Sequence, residues 1–199
     1  MSTILDAGWT VDPSLVTYRS LVAALMVSLS LAAPSAASAA AACPGSDLTP
    51  TSENISEVRT ATLCLLNHER ARRGMKRLAE SPSLRKTAQR YSQTMVAQNF
   101  FDHVSPGGST LLSRVRNSTA YLQNVGAWAL GENIAWGTGE LSTPAETMKG
   151  WMASSGHRHN ILNRRFRHVG IGIALGAPVD AQGMSAATYT TDFGYHASR

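Results

Sequence analysis

Between Leu130 and Leu162 the chain puts a glutamate in a setting that few folds tolerate. The stretch opens Leu130-Gly-Glu132-Asn133-Ile-Ala-Trp136, so Glu132 stands at the head of an apolar run. Carboxylates are seldom buried unless something pairs with them. Glu132 is therefore either turned outwards by the chain or buried with partners. Downstream come Thr143-Pro-Ala-Glu146, Trp151 and a polar segment, Ser154-Ser155-Gly-His157-Arg158-His159-Asn160. The clearest complement from elsewhere in the chain is Phe101-Asp102-His103.

The rest of the sequence reads as a scaffold for this stretch. Ile55, Val58, Thr62, Leu65, Leu66 and Glu69 recur at helical spacing, and Gly74 after the basic turn of Arg70, Arg72 and Arg73 marks the stop. Ser81-Pro82 is a helix start, with Leu84, Ala88, Tyr91, Met95 and Val96 as its apolar stripe. Thr110 caps a short helix through Leu111, Leu112 and Val115. Thr143-Pro144-Ala-Glu146 is a capping box, which makes Glu146 a cap and not a catalyst, and Met148, Trp151 and Met152 follow at core spacing. Residues 117–130 read as irregular and 154–162 as a polar loop. In Val169-Gly-Ile-Gly-Ile-Ala-Leu175, glycine alternates with β-branched residues, as in a strand lying close to another backbone, and residues 186–194 read as its partner. Three or four helices around a small antiparallel sheet make an α+β layered domain. A length of 199 residues suits one such unit.

The N-terminal part differs in character. Arg19 is followed by an apolar segment, Leu21 to Ala33, and then by small residues, which is the layout of a secretory signal with cleavage near Ala39 to Ala42. The organisation expected is residues 1–42 as extension and signal peptide, 43–54 as an N-terminal arm, and 55–199 as the folded domain. A leader that stays uncleaved would anchor the chain in a membrane. Export favours a disulfide between the two cysteines, Cys43 and Cys64. A lipid on Cys43 is the alternative, since Ala-Ala-Ala-Cys43 weakly resembles a lipoprotein cleavage site. The net charge of +5 makes the surface basic, but no basic run is interleaved with aromatics, so nucleic acid is not expected as a partner.

Six segments carry a resemblance: Leu66-Asn-His-Glu-Arg70-Ala-Arg72, Phe101-Asp-His103, Gly131-Glu-Asn-Ile-Ala135, Trp151 through His157 to Leu162, Val169-Gly-Ile-Gly172 and Asp192-Phe-Gly194. In this order they resemble the CAP superfamily of cysteine-rich secretory proteins, antigen 5 and pathogenesis-related proteins (the SCP domain), in its short bacterial secreted form. The resemblance implies a three-layer α-β-α sandwich around a cavity lined by two histidines and acidic residues. His103 and His157 match the cavity histidines and Glu132 the glutamate of the Gly-Glu-Asn motif. Eukaryotic members often carry a further acid about eleven residues after the first histidine, where this chain has Ser113-Arg114. Arg114, Asn133, Ser155 and His159 are expected on the cavity rim, with Asn133 and Asn160 read as turn-forming residues.

Two imidazoles and a carboxylate allow three chemistries. They are a ligand set for a divalent metal, zinc before others. They are an acid–base set near neutral pH. They are also a polar network that satisfies itself. Ser105, Ser154 and Ser155 lie near histidines, but none sits in a nucleophile elbow. The His68-Glu69 pair lacks the second histidine of a zinc-protease helix, because Arg72 stands there. The expectation is a secreted module that binds a divalent metal or a small ligand and needs no organic cofactor. Its partners would be lipid, peptide or a cell-wall component. The alternative is a metal-dependent hydrolase using His103, Glu132 and His157. Trp136 and Trp151 are expected in the core.

Overall fold

The computed structural model describes residues 43–198, so the leader assigned to 1–42 lies outside the described residues. The helices are α1 (Ile55–Ala71), α2 (Pro82–Ala97), α3 (Leu111–Ser118), α4 (Pro144–Ala153) and α5 (Ser155–Ile161). The strands are β1 (Ala79–Glu80), β2 (Val125–Thr138), β3 (His168–Leu175) and β4 (Ala186–Ser198).

Local chemistry sets the helix starts. The Ser81 hydroxyl accepts from the Leu84 amide at 3.4 Å, ahead of Pro82. Thr110 and Ser113 exchange side-chain and backbone bonds at the head of α3. Thr143 Oγ1 accepts from the Glu146 amide at 3.3 Å. The Glu146 carboxylate itself turns to Lys149 on the surface, 3.0 Å away, and takes no part in the cavity. After α1 the chain reverses at Gly74, whose φ of +61° is a left-handed value that suits glycine.

The sheet order is β1-β3-β4-β2, antiparallel except for the short parallel pairing of β1 with β3. The long ladder between β2 and β4 runs from Val125 opposite Ser198 to Thr138 opposite Ala186. This corrects the reading of residues 117–130 as irregular, since β2 already begins at Val125. Its first half, Gly126-Ala-Trp-Ala-Leu-Gly131, has weak strand propensity, and pairing with β4 overrides it. The polar loop expected at 154–162 is also helical, as α5. There Ile161 alone is buried, so no apolar periodicity announces the helix.

Alternation along the strands divides the layers. Gly170 and Gly172 face α2, and a Cβ on either would overlap the helix backbone at Leu84–Arg85 or at Ala88–Gln89. The missing side chains let α2 lie directly on the sheet. Ser92 Oγ donates to Thr190 Oγ1 at 2.8 Å, fixing the helix across the same face. On the opposite face Val169, Ile171, Tyr189 and Phe193 pack with Leu66, Trp151 and Phe166 beneath α1, α4 and α5. This is the expected three-layer α-β-α arrangement. Trp151 is buried and its Nε1 donates to the Ile134 carbonyl at 3.2 Å. Trp136, expected in the core, is instead 40% exposed on β2, the strand at the edge of the sheet.

Cys43 and Cys64 form a disulfide across 21 positions of sequence and tie the arm to α1. Closing a loop of this size in the unfolded chain stabilises the fold by about 3 kcal/mol. The Cys43 sulfur is thereby committed, which sets aside the lipid-bearing alternative. Among the described residues no helix is long and apolar enough to cross a membrane.

Candidate functional site

The Gly131-Glu132-Asn133 motif lies in mid-strand on β2, and each residue has a separate task. Gly131 faces α5, where a Cβ would stand 2.8 Å from the Phe166 ring and 2.9 Å from Asn160 Oδ1. Asn133 shares that face and donates from Nδ2 to the His157 carbonyl at 3.1 Å. Asn160 on α5 answers by donating to the Glu132 carbonyl at 3.1 Å and to Asn133 Oδ1 at 2.9 Å. The two asparagines therefore bolt α5 onto β2. Expected as turn formers, and Asn133 also on the rim, they are a tertiary clamp because each lies inside a regular element.

Glu132 points to the other face, towards α2 and α3, and it is buried with partners. His103, in the loop after α2, places Nδ1 2.8 Å from Glu132 Oε1. The Arg114 guanidinium donates through Nη2 to Glu132 Oε2. Both carboxylate oxygens are thus held by charge-assisted bonds, the stronger class of hydrogen bond. Because a carboxylate accepts, the proton in the His103 bond lies on Nδ1. Nε2 is left without a partner in this arrangement, on a side chain that is 47% exposed.

Arg114 organises more than the carboxylate. Through Nη1 it donates to the His103 carbonyl at 3.1 Å and the Ser109 carbonyl at 3.0 Å. Its guanidinium lies over the Tyr91 ring, 3.3 Å from the centroid. Tyr91 in turn donates its hydroxyl to the Asp102 carbonyl at 2.6 Å. A planar fork can hold a carboxylate, two carbonyls and an aromatic face at once, which an ammonium cannot. With only 9% of its side chain exposed, Arg114 sits behind Glu132 and not on the rim.

His157 approaches from the α5 layer, half-buried at the edge of the sheet. Burial, and next the nearby His103 charge, lower its pKa below the ordinary imidazole range. The two histidines are therefore electrostatic neighbours. Ser155 and His159, expected on the rim, are both exposed on α5.

Asp192 is the residue whose role the sequence did not disclose. It stands opposite Glu132 across the β2–β4 ladder and opposite Gly170 on β3. It is fully buried, and neither carboxylate oxygen has a hydrogen-bond partner of good geometry. Burial first, and then the Glu132 charge, raise its pKa well above the usual carboxylate range, against the pull of Arg114. The Asp192-Phe-Gly194 motif was the available signal, but nothing in it shows that the acid faces Glu132.

A metal fits this arrangement poorly as a three-ligand site. Among the described residues no group of three His, Cys, Asp and Glu side chains could hold a metal ion. Glu132 has spent both oxygens on His103 and Arg114, and a guanidinium beside the carboxylate opposes a second cation. The expected His103/Glu132/His157 ligand set is corrected on that ground. A cleft of about 200 Å³ is lined by Arg114 together with Arg90, Tyr91, Ser105 and Ser109 among others. None of His103, Glu132 and His157 lines it.

Comparison with known proteins places this geometry. Residues 63–191 match the family model described as the cysteine-rich secretory protein family, CAP. The uncharacterised protein YkwD of Bacillus subtilis is 40% identical over 108 residues, covering 54% of this chain and 39% of that protein. An extracellular protein of Bacillus anthracis containing an SCP domain is 28% identical with a TM-score of 0.55, over 72% of this chain and 43% of that one. An outer surface protein of Borrelia burgdorferi shares the fold at a TM-score of 0.58 and 16% identity, over 74% of this chain and 96% of that one. The match thus spans about two fifths of YkwD and of the Bacillus anthracis protein.

Proposed function

The chain belongs to the cysteine-rich secretory protein (CAP) family, and from that premise we propose that it is an exported binding module. Its site takes a small ligand through the outward faces of His103 and His157. The observation that carries this reading is the double engagement of Glu132 by His103 and Arg114. A carboxylate so pinned orients an imidazole; it does not collect protons from a substrate. With Nδ1 committed, His103 offers Nε2, and His157, whose pKa is lowered, offers a neutral ring at pH 7. Imidazole nitrogens so placed exchange hydrogen bonds with hydroxyl or amide groups, the polar chemistry of a peptide, a wall fragment or a lipid head group.

Export is supported by the leader pattern in 1–42, by the Cys43–Cys64 disulfide and by the extracellular relative in Bacillus anthracis. On this reading the mature protein comprises the arm 43–54 and the domain 55–199.

The test is nuclear magnetic resonance of the two rings during titration with tri-alanine and, separately, with lysophosphatidylcholine. One of these probes shifts both ring signals, and His103→Ala removes the response. Cleavage of the peptide during titration, or rings that ignore both probes, overturns the reading. Zinc titration checks the correction made to the His103/Glu132/His157 ligand set: zinc-dependent turnover lost in His157→Ala would overturn both that correction and this reading.

A further inference from the structure

Two basic segments far apart in sequence, 72–77 and 164–167, meet around one buried residue. Arg70, fully buried on α1, joins them. Its Nε donates to the Lys76 carbonyl at 2.8 Å, and its Nη1 to the Ile161 and Asn163 carbonyls at 2.8 and 3.0 Å. Its Nη2 donates to the Phe166 carbonyl at 3.2 Å. The Ala79 amide adds a bond to the Arg167 carbonyl at 2.9 Å, so the chain after Arg77 runs beside Arg167. A buried guanidinium spent wholly on backbone carbonyls is a framing element, and here it frames like charges.

Those charges lack acidic partners, although Arg167 donates to the Arg164 and Phe166 carbonyls and Arg165 lies over the Tyr195 ring. Lys76, Arg77, Arg164 and Arg165 are exposed and Arg167 half-buried. Among the described residues none of these five makes an ion pair. The nearest acids in sequence are already taken: Glu69 by Arg72 and Arg73, Glu80 by Arg85. Holding unpaired cations side by side costs self-repulsion, which a bound anion relieves. Four of the five are arginines, whose planar forks match phosphate oxygens. None of the large exposed apolar side chains falls in either segment, so the surface lacks the wedge with which a protein settles into a bilayer.

We propose that Lys76, Arg77, Arg164, Arg165 and Arg167 form a docking surface for a linear phosphate polyanion without bases, separate from the His103–Glu132 site. The probe is inorganic polyphosphate, titrated into the full chain at about 50 and about 200 mM salt, the range over which counterion release weakens such binding steeply. Arg77→Gln/Arg164→Gln/Arg165→Gln is expected to bind about tenfold more weakly than the unmodified chain. The control Lys86→Gln/Arg116→Gln/Lys149→Gln removes equal charge from other exposed positions and is expected to bind within about twofold. An equal loss in both variants would mean that net charge alone binds, and the proposal falls. It falls too if polyphosphate fails to bind while vesicles containing phosphatidylglycerol do. Because His103 and His157 are untouched in both variants, neither result bears on the site proposed for them.

Discussion

Glu132 and Asp192 face each other across the β2–β4 ladder, one pinned by a histidine and an arginine, the other fully buried with neither oxygen bonded. Two carboxylates so placed cannot both be charged cheaply. Arg114 and His103 bond both oxygens of Glu132, while Asp192, the deeper of the two, is pushed towards its protonated form. Environment, not residue type, tells the two apart.

Stability against pH reads this division directly. A carboxyl whose folded pKa is raised keeps its proton while the unfolded chain loses it. Stability therefore falls as pH rises above the ordinary aspartate value of about 3.9, until the folded pKa is reached. Asp192→Asn removes this slope, so its melting temperature should hold up better than that of the unmodified chain between about pH 4 and pH 7. Parallel slopes for the two proteins would show that Asp192 ionises normally.

Removing Arg114 strands Glu132. Arg114→Ala deletes the bond to Oε2, the two carbonyl bonds of the 103–109 loop and the stacking on Tyr91. Leaving a buried charge without its partner costs about 3–5 kcal/mol. Urea unfolding measures this loss, and a midpoint unchanged from the parent would contradict the central role given to Arg114.

The His157 ring should titrate below the imidazole reference of about 6.5. Burial is the larger cause and the His103 charge the smaller, so His103→Ala should raise the midpoint only part of the way. A lowered folded pKa in a histidine means that stability is lost as pH falls through about 6.5, where the unfolded ring takes up its proton first. Proton resonance of the ring across pH 4 to 9 gives both midpoints; a full return to the reference in His103→Ala would make burial irrelevant.

Gly131→Ala tests the clamp. Its methyl would press on Asn160 of α5 and on the Phe166 ring. Overpacking of this kind costs about 1–3 kcal/mol. The strain falls on the Asn133–Asn160 bonds, so His157 amide exchange should quicken more than that of core residues on β3. Uniform change across the sheet would argue against a clamp local to α5.

What could be read in the sequence is what neighbours in the chain decide. Ser81-Pro82, Thr110 and Thr143-Pro144 start α2, α3 and α4 because capping acts over three residues. The glycine alternation of β3 foretold the close approach of α2, since only a missing Cβ permits it. His103 and Glu132 were marked by their motifs and do meet. Element boundaries without local chemistry were missed: the first half of β2 is built of small residues and α5 of polar ones, and both take their form from what they pair with.

The sequence alone settled the capped helix starts, the close approach of β3 to α2 and the residues worth watching around Glu132. Tertiary structure decided which partner Glu132 would take, that Arg114 would sit behind it, and that Asp192 would lie opposite with no bond of its own. It also brought the backbones of two distant arginine-rich segments together around Arg70. Those outcomes depend on strand register and on how deeply each charge is desolvated. Both are set only when segments far apart in the chain come into contact.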